Sequence, residues 1–208
     1  MKYIVYLFML VFVTGCSEMQ VAPEKAIVKP AKPAVPVNWP RIKKQRQAIK
    51  SWELRGHLGI QTADNGGSLD LDWRQDDDDY VIRLLAPLGQ GSYLISGDSH
   101  SATIRMPDGK IRVVDNPDLM FKSVLGVQLP ISALRDWVRG LPAASLPLTD
   151  IRWNKQGLLH IVDQAGWHVE MVHNLGDKIR LPYKFYLTRE DRPELDIRLA
   201  LRQWMIDN

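Results

Sequence analysis

Asn65-Gly66-Gly67-Ser68-Leu69-Asp70-Leu71-Asp72-Trp73 decides the fold. After a turn-forming Asn-Gly, apolar side chains fall at every second position, the period of a strand with one dry and one wet face. The preceding stretch reads the same way, with Trp52, Leu54, Leu58 and Ile60 alternating with polar residues around Gly56. Two such runs joined by glycines make an antiparallel hairpin. Asp76, Asp77, Asp78 and Asp79 form a charged turn before a third strand over residues 80–86. These four carboxylates lack the spacing and glycine of a calcium loop, so a solvated hairpin tip is the reading.

The meander continues over residues 92–97 and 102–106, then through Pro107-Asp108-Gly109 into residues 110–114. Helical signals interrupt it. Asn116 can cap a helix with Pro117 in its first turn and Gly126 beyond its end. A second helix over residues 130–139 sets Ile131, Leu134 and Val138 on one face, with Gly140 as a stop. Strands resume at 148–153, 158–162, 167–173, 179–188 and 195–201, about eleven in all. The pattern predicts a mainly β fold with helices, its long meander curling into a barrel-like sheet and the helices covering an open side or end.

Upstream, Met1 and Lys2 precede an apolar run over residues 3–13, too short for a bilayer that needs about 20 helical residues. Residues 1–15 read as a cleavable signal peptide. Val13-Thr14-Gly15-Cys16 places small residues before a thiol, the pattern of a lipoprotein processing site. Cys16 is the only cysteine among 208 residues, so no internal disulfide is open to it. Acylation accounts for the lone thiol, and two or more chains anchor stably at about 0.8 kcal/mol per buried methylene. Ser17, where an aspartate would retain the chain in the inner membrane, favours the outer membrane. Residues 16–40 carry the lipidated cysteine and a tether in which Pro23, Pro30, Pro33, Pro36 and Pro40 alternate with Ala, Val and Lys. Such a segment extends to roughly 70 Å at about 3.1 Å per residue. Residues 41–208 are left to form one domain.

Loss of Lys2 with the signal lowers the net charge from +3 to +2, and the charges are mixed, so no nucleic-acid partner is indicated. One basic cluster stands out at Arg41, Lys43, Lys44, Arg46 and Lys50, where Ile42, Ala48 and Ile49 are the apolar positions of a short helix. Two readings stay open: a solvated helix face, or a patch facing phospholipid.

Catalytic motifs are missing. There is no Gly-x-Ser-x-Gly, no His-Glu-x-x-His, no phosphate-binding glycine loop and no cysteine cluster. His168 with Glu170, and Asp70 with Asp72, share strand faces, and the wet side of an alternating strand explains both pairs. No metal and no cofactor are expected. Seven tryptophans (Trp39, Trp52, Trp73, Trp137, Trp153, Trp167 and Trp204) serve either a packed core or the wall of an apolar cavity. If one sheet face lines such a cavity throughout, its wall includes Leu69, Leu71, Trp73, Ile82, Leu84, Trp137, Val169, Met171, Phe185, Ile197 and Leu199.

Four blocks in this order, behind the processing site and the tether, resemble the LolB family: Trp52-Glu53-Leu54-Arg55-Gly56, Asp72-Trp73-Arg74-Gln75, Leu85-Ala86-Pro87-Leu88-Gly89, and Leu129-Pro130-Ile131-Ser132-Ala133-Leu134-Arg135-Asp136-Trp137-Val138-Arg139-Gly140-Leu141-Pro142. The resemblance covers nearly the whole mature domain. It implies an incomplete antiparallel barrel of about eleven strands with a helical lid and a hydrophobic cavity. It further implies an outer-membrane-anchored receptor, facing the periplasm, that accepts acylated lipoproteins from the periplasmic carrier LolA and inserts their acyl chains into outer-membrane phospholipid. No enzyme activity is implied, and a monomer is expected. From the residues alone Leu88 either folds back on the core or points outwards; the resemblance assigns it to a membrane-targeting loop. The competing expectation is an anchored lipocalin-like carrier of a small lipid or hydrophobe.

Overall fold

The computed structural model describes residues 34–89 and 91–206. The expected signal peptide, Cys16 and most of the tether lie outside the described residues. Helix α1 (Trp39–Gln47) leads into β1 (Ser51–Gln61), β2 (Gly66–Asp76), β3 (Asp79–Leu85), β4 (Ser92–Gly97), β5 (Ala102–Arg105) and β6 (Ile111–Val114). A 3-10 turn (Pro117–Leu119) and helices α2 (Met120–Leu125) and α3 (Ile131–Val138) follow, then β7 (Leu148–Trp153), β8 (Leu159–Gln164), β9 (Trp167–Val172), β10 (Lys184–Arg189) and β11 (Arg192–Ile206).

All eleven strands form one antiparallel sheet in the order β6-β5-β4-β3-β2-β1-β11-β10-β9-β8-β7. Both β6 and β7 are edges, so the barrel is incomplete, and the α2–α3 segment that joins them covers the open side. Alternation sorts the strands: β3 reads exposed, buried, exposed from end to end, and β9 alternates buried with half-buried. The registers align the buried sets into one concave face, with Leu71 opposite Leu84, Ile82 opposite Ile95, Phe185 opposite Leu199 and Leu187 opposite Val169. Strand β11 bulges at Arg202 opposite Gly56. A Cβ on Gly56 would stand 2.4 Å from the Ala200 carbonyl oxygen, so only glycine permits this close approach.

The same registers give the sheet two ends. Turns at residues 62–65, 86–91, 106–110, 165–166 and 190–191 gather at one end, called the mouth. Helix α1 and the loops at residues 154–158 and 173–183 gather at the other.

Three elements differ from the sequence expectation. The strand expected from residue 179 starts at Lys184, because Pro182 cannot donate to a ladder and only the bridge between Leu175 and Leu181 forms before it. Strand β11 continues to Ile206, since the bulge shifts Trp204 and Ile206 back into phase opposite Leu54 and Trp52. In α1, Arg46 is fully buried, which corrects the reading of a wholly solvated basic face. Its Nη1 donates to the Gly140 carbonyl at 2.7 Å, and its Nη2 donates to the Arg180 carbonyl at 2.5 Å and to Asn174 Oδ1 at 3.2 Å. Burial lowers its pKa to about 10, so it stays charged near neutral pH. Gly140, at φ 71, ends α3 and leaves the space this guanidinium fills.

Candidate functional site

The tryptophans pack against one another and build the wall from behind. Trp52 lies 5.0 Å from Trp73 and 5.1 Å from Trp204, Trp39 lies 6.0 Å from Trp153, and Trp137 lies 6.1 Å from Trp167, in tilted or edge-on geometries that suit aromatic quadrupoles. Between this wall and the helices lies an enclosed apolar void of about 20 Å³, lined by Leu58, Leu71, Trp73, Leu84, Phe121, Leu129, Leu134, Leu187, Ile197 and Leu199. It has room for about one water, although its lining offers water nothing to bond. At the mouth is an open cleft of about 640 Å³, lined by Leu58, Ile60, Leu69, Ala86, Pro87, Leu125 and the turns at 62–67 and 192–194. That volume falls within the roughly 300–1,000 Å³ of ligand sites. Leu58 lines both spaces, while Phe121 borders the void and Leu125 the cleft, so α2 is the partition between them.

The eleven residues expected in the cavity wall fall into three groups. Leu71, Trp73, Leu84, Ile197 and Leu199 line the void, and Leu69 lines the cleft. Ile82, Val169, Met171 and Phe185 lie buried in the concave layer without reaching either space. Trp137, on α3, turns to Trp167 and donates from Nε1 to Gln164 Oε1 at 3.0 Å. Reasoning from the sequence missed Leu58 and Leu187, whose alternation with neighbouring strand residues places them on the same face. It also missed Phe121, Leu129 and Leu134, which carry no sheet periodicity.

Polar bonds fix α3 at several points. Gln164 accepts from Trp137 and from the Ala143 amide at 2.8 Å, and donates to the Ala143 and Leu146 carbonyls. Arg139 donates to the Ile49 carbonyl at 2.8 Å and to Asp136 Oδ1 at 2.6 Å, and burial lowers its pKa. Asp118 accepts from the Ser132 amide and hydroxyl at 2.9 and 2.8 Å. Arg135 reaches Asp78 at 2.7 Å, so the acidic hairpin tip also holds this helix. Helix α2 has a left-handed Gly126 at its end and, among the described residues, one long side-chain contact, from the Tyr80 hydroxyl to Met120 Sδ at 3.6 Å. Burial and the nearby Asp98 and Asp118 raise the Tyr80 pKa, keeping the phenol neutral.

Leu88 stands beside the cleft at 97 % exposure. Its φ of 57° and ψ of 28° lie in the left-handed region, which costs a leucine about 1 kcal/mol. The loop is closed beneath it by the Ala86 amide donating to the Gly91 carbonyl at 3.0 Å. The paired polar residues face away, on the convex side: His168 contacts Asp163 at 2.6 Å, His57 contacts Asp70 at 2.5 Å, and Arg55 contacts Asp72 at 3.6 Å.

Solved structures share this open sheet wrapped around an apolar interior and closed by helices. A LolA superfamily protein from Nitrosomonas europaea superimposes with a TM-score of 0.57 at 7 % identity, over 81 % of this chain and 93 % of that one. The profile of the family described as "Outer membrane lipoprotein LolB" matches residues 50–204. The outer-membrane lipoprotein LolB of Cellvibrio japonicus is 33 % identical over 168 residues, covering 78 % of this chain and 81 % of its own. That of Nitrosococcus oceani is 29 % identical over 204 residues, covering 97 % and 96 %. The chain belongs to the LolB family. It is accordingly a lipoprotein of the outer membrane and not an enzyme.

Proposed function

We propose that this chain receives acylated lipoproteins from a LolA-type periplasmic carrier and passes their acyl chains into outer-membrane phospholipid, acting as a monomer held by lipid on Cys16. Residues 1–15 are then the signal peptide, residues 16–40 the lipidated cysteine and tether, and residues 41–208 the working domain. The observation that carries this reading is the open cleft at the mouth, with apolar Leu58, Ile60, Leu69 and Leu125 on its inner side and an outward leucine beside it. Acyl chains enter at the cleft, α2 moves aside, and the concave wall from Leu69 to Leu199 takes them. Each buried methylene contributes about 0.8 kcal/mol, so transfer runs downhill when the carrier holds the chains less well than this cavity, and the membrane better. Leu88 inserts only about 1.5 to 3 kcal/mol worth of side chain, enough to turn the mouth to the bilayer and little enough to permit release. Family membership favours this reading over a lipocalin-like carrier of a free hydrophobe, which needs no donor protein.

Depletion in the native host tests it. Outer-membrane lipoproteins should accumulate on the carrier when fractions are analysed. Normal sorting in the depleted cells would remove the assignment.

A further inference from the structure

The end of the domain opposite the mouth carries a charge that the transfer reaction does not use. Arg41, Lys43 and Lys44 project from α1, Lys155 from the β7–β8 turn, and Lys178 and Arg180 from the loop before β10, all exposed. Among the described residues none of these six takes part in an ion pair; Asp177 is the one carboxylate lining the groove they surround, while the acidic hairpin tip at the same end is tied to Lys50 and Arg135. On the convex face, by comparison, Arg55, Arg152 and Arg198 each pair with a neighbouring carboxylate. Helix α1 and the two loops enclose a groove of about 210 Å³, floored by Arg46 and edged by Arg41, Lys178 and Arg180. Asn38 donates across it to the Gln156 carbonyl at 3.3 Å, so the helix and one loop are joined.

We propose that this basic groove and the helix above it bind the anionic headgroups of a phospholipid bilayer, resting the domain on its own membrane with the mouth turned to the periplasm. The proposal rests on the receptor reading above. Six cations without an ion-pair partner, gathered around a groove lined by a single carboxylate, call for an anionic occupant, and basic clusters of this size are attracted to anionic bilayers. The course of the chain selects a bilayer over an acidic protein. The described chain begins at Ala34 and enters the domain through α1 on this face. Seventeen residues, 17–33, separate it from Cys16. The face nearest the anchor along the chain is therefore the one that meets the membrane when the domain is drawn down. Two resting orientations follow: the basic end down for acceptance, and the Leu88 end down for delivery.

The test uses the full lipidated chain in vesicles of phosphatidylcholine, with or without phosphatidylglycerol, and a water-soluble acetylating reagent read by mass spectrometry. With phosphatidylglycerol present, Lys43, Lys44 and Lys178 should react about fivefold more slowly or less, an effect that added salt removes, while Lys122 on α2 is unchanged. The exposed triple variant Arg41→Glu, Lys43→Glu, Lys44→Glu should fold and lose the protection at Lys178. Equal rates in both vesicles would overturn the proposal. Protection that arises only on adding the carrier protein would overturn it in favour of an acidic protein partner. Cargo transfer to the same vesicles separates the two readings: intact transfer without protection removes only this inference, whereas absent transfer by the wild-type chain strikes the receptor reading itself.

Discussion

Helices α2 and α3 cover the same sheet but are held by different forces. Polar bonds with fixed directions hold α3, through Gln164, Arg139, Asp118 and Arg135. Contact through Met120 and Phe121 holds α2, which is six residues long and ends at a left-handed glycine. Directional bonds, those of Gln164 and Arg139 buried, must all break before their helix leaves, while an apolar surface slides or lifts at a cost set by the area exposed. The lid thus has a fixed part and a movable part, and the movable part stands between the cleft and the void.

Hydrogen exchange offers the largest contrast. Amides of α2 should exchange roughly a hundredfold faster than those of α3, because local opening frees α2 alone. Equal protection would make the lid one unit. Next in size, Gln164→Leu should lower stability to urea by about 3–5 kcal/mol, since it leaves the Trp137 indole, the Ala143 amide and two carbonyls without partners. A loss below about 1 kcal/mol would mean that α3 does not depend on this clip.

Phe121→Ala should cost about 3 kcal/mol, the lower end for a buried phenylalanine, and should speed uptake of acylated cargo by opening the partition. Slower uptake would show that Phe121 guides the chains instead of blocking them. The smallest effect belongs to the rim: Leu88→Gly should raise stability by about 1 kcal/mol through relief of its left-handed backbone, in a thermal or urea melt. No gain would mean that the loop relaxes in solution.

The sheet was legible because alternation is a local signal. Leu69, Leu71 and Trp73 announce a strand and its dry face without knowledge of any partner. The void was only half legible, since which buried side chains meet across it depends on register and on helix placement. Leu134 read as a residue of the covering helix, but nothing in the chain told which strands lay beneath it. Trp137 read as cavity wall and instead donates to Gln164, because a polar handle on a buried aromatic seeks an acceptor wherever one lies. Arg46 was the least legible residue. A lone arginine in a basic run reads as surface, and only acceptors distant in sequence, the Gly140 and Arg180 carbonyls and Asn174 Oδ1, make its burial tolerable.

The central claim concerns what Leu88 and the cleft do together, and Leu88→Glu separates their parts. With acylated cargo loaded on the carrier, acceptance and delivery to phospholipid vesicles are measured in the same preparation. The account predicts a folded protein that accepts cargo within about twofold of the wild type and delivers it roughly tenfold to a hundredfold more slowly, as expected from losing about 1.5 to 3 kcal/mol of insertion. Undiminished delivery, or equal loss of acceptance and delivery, would contradict it.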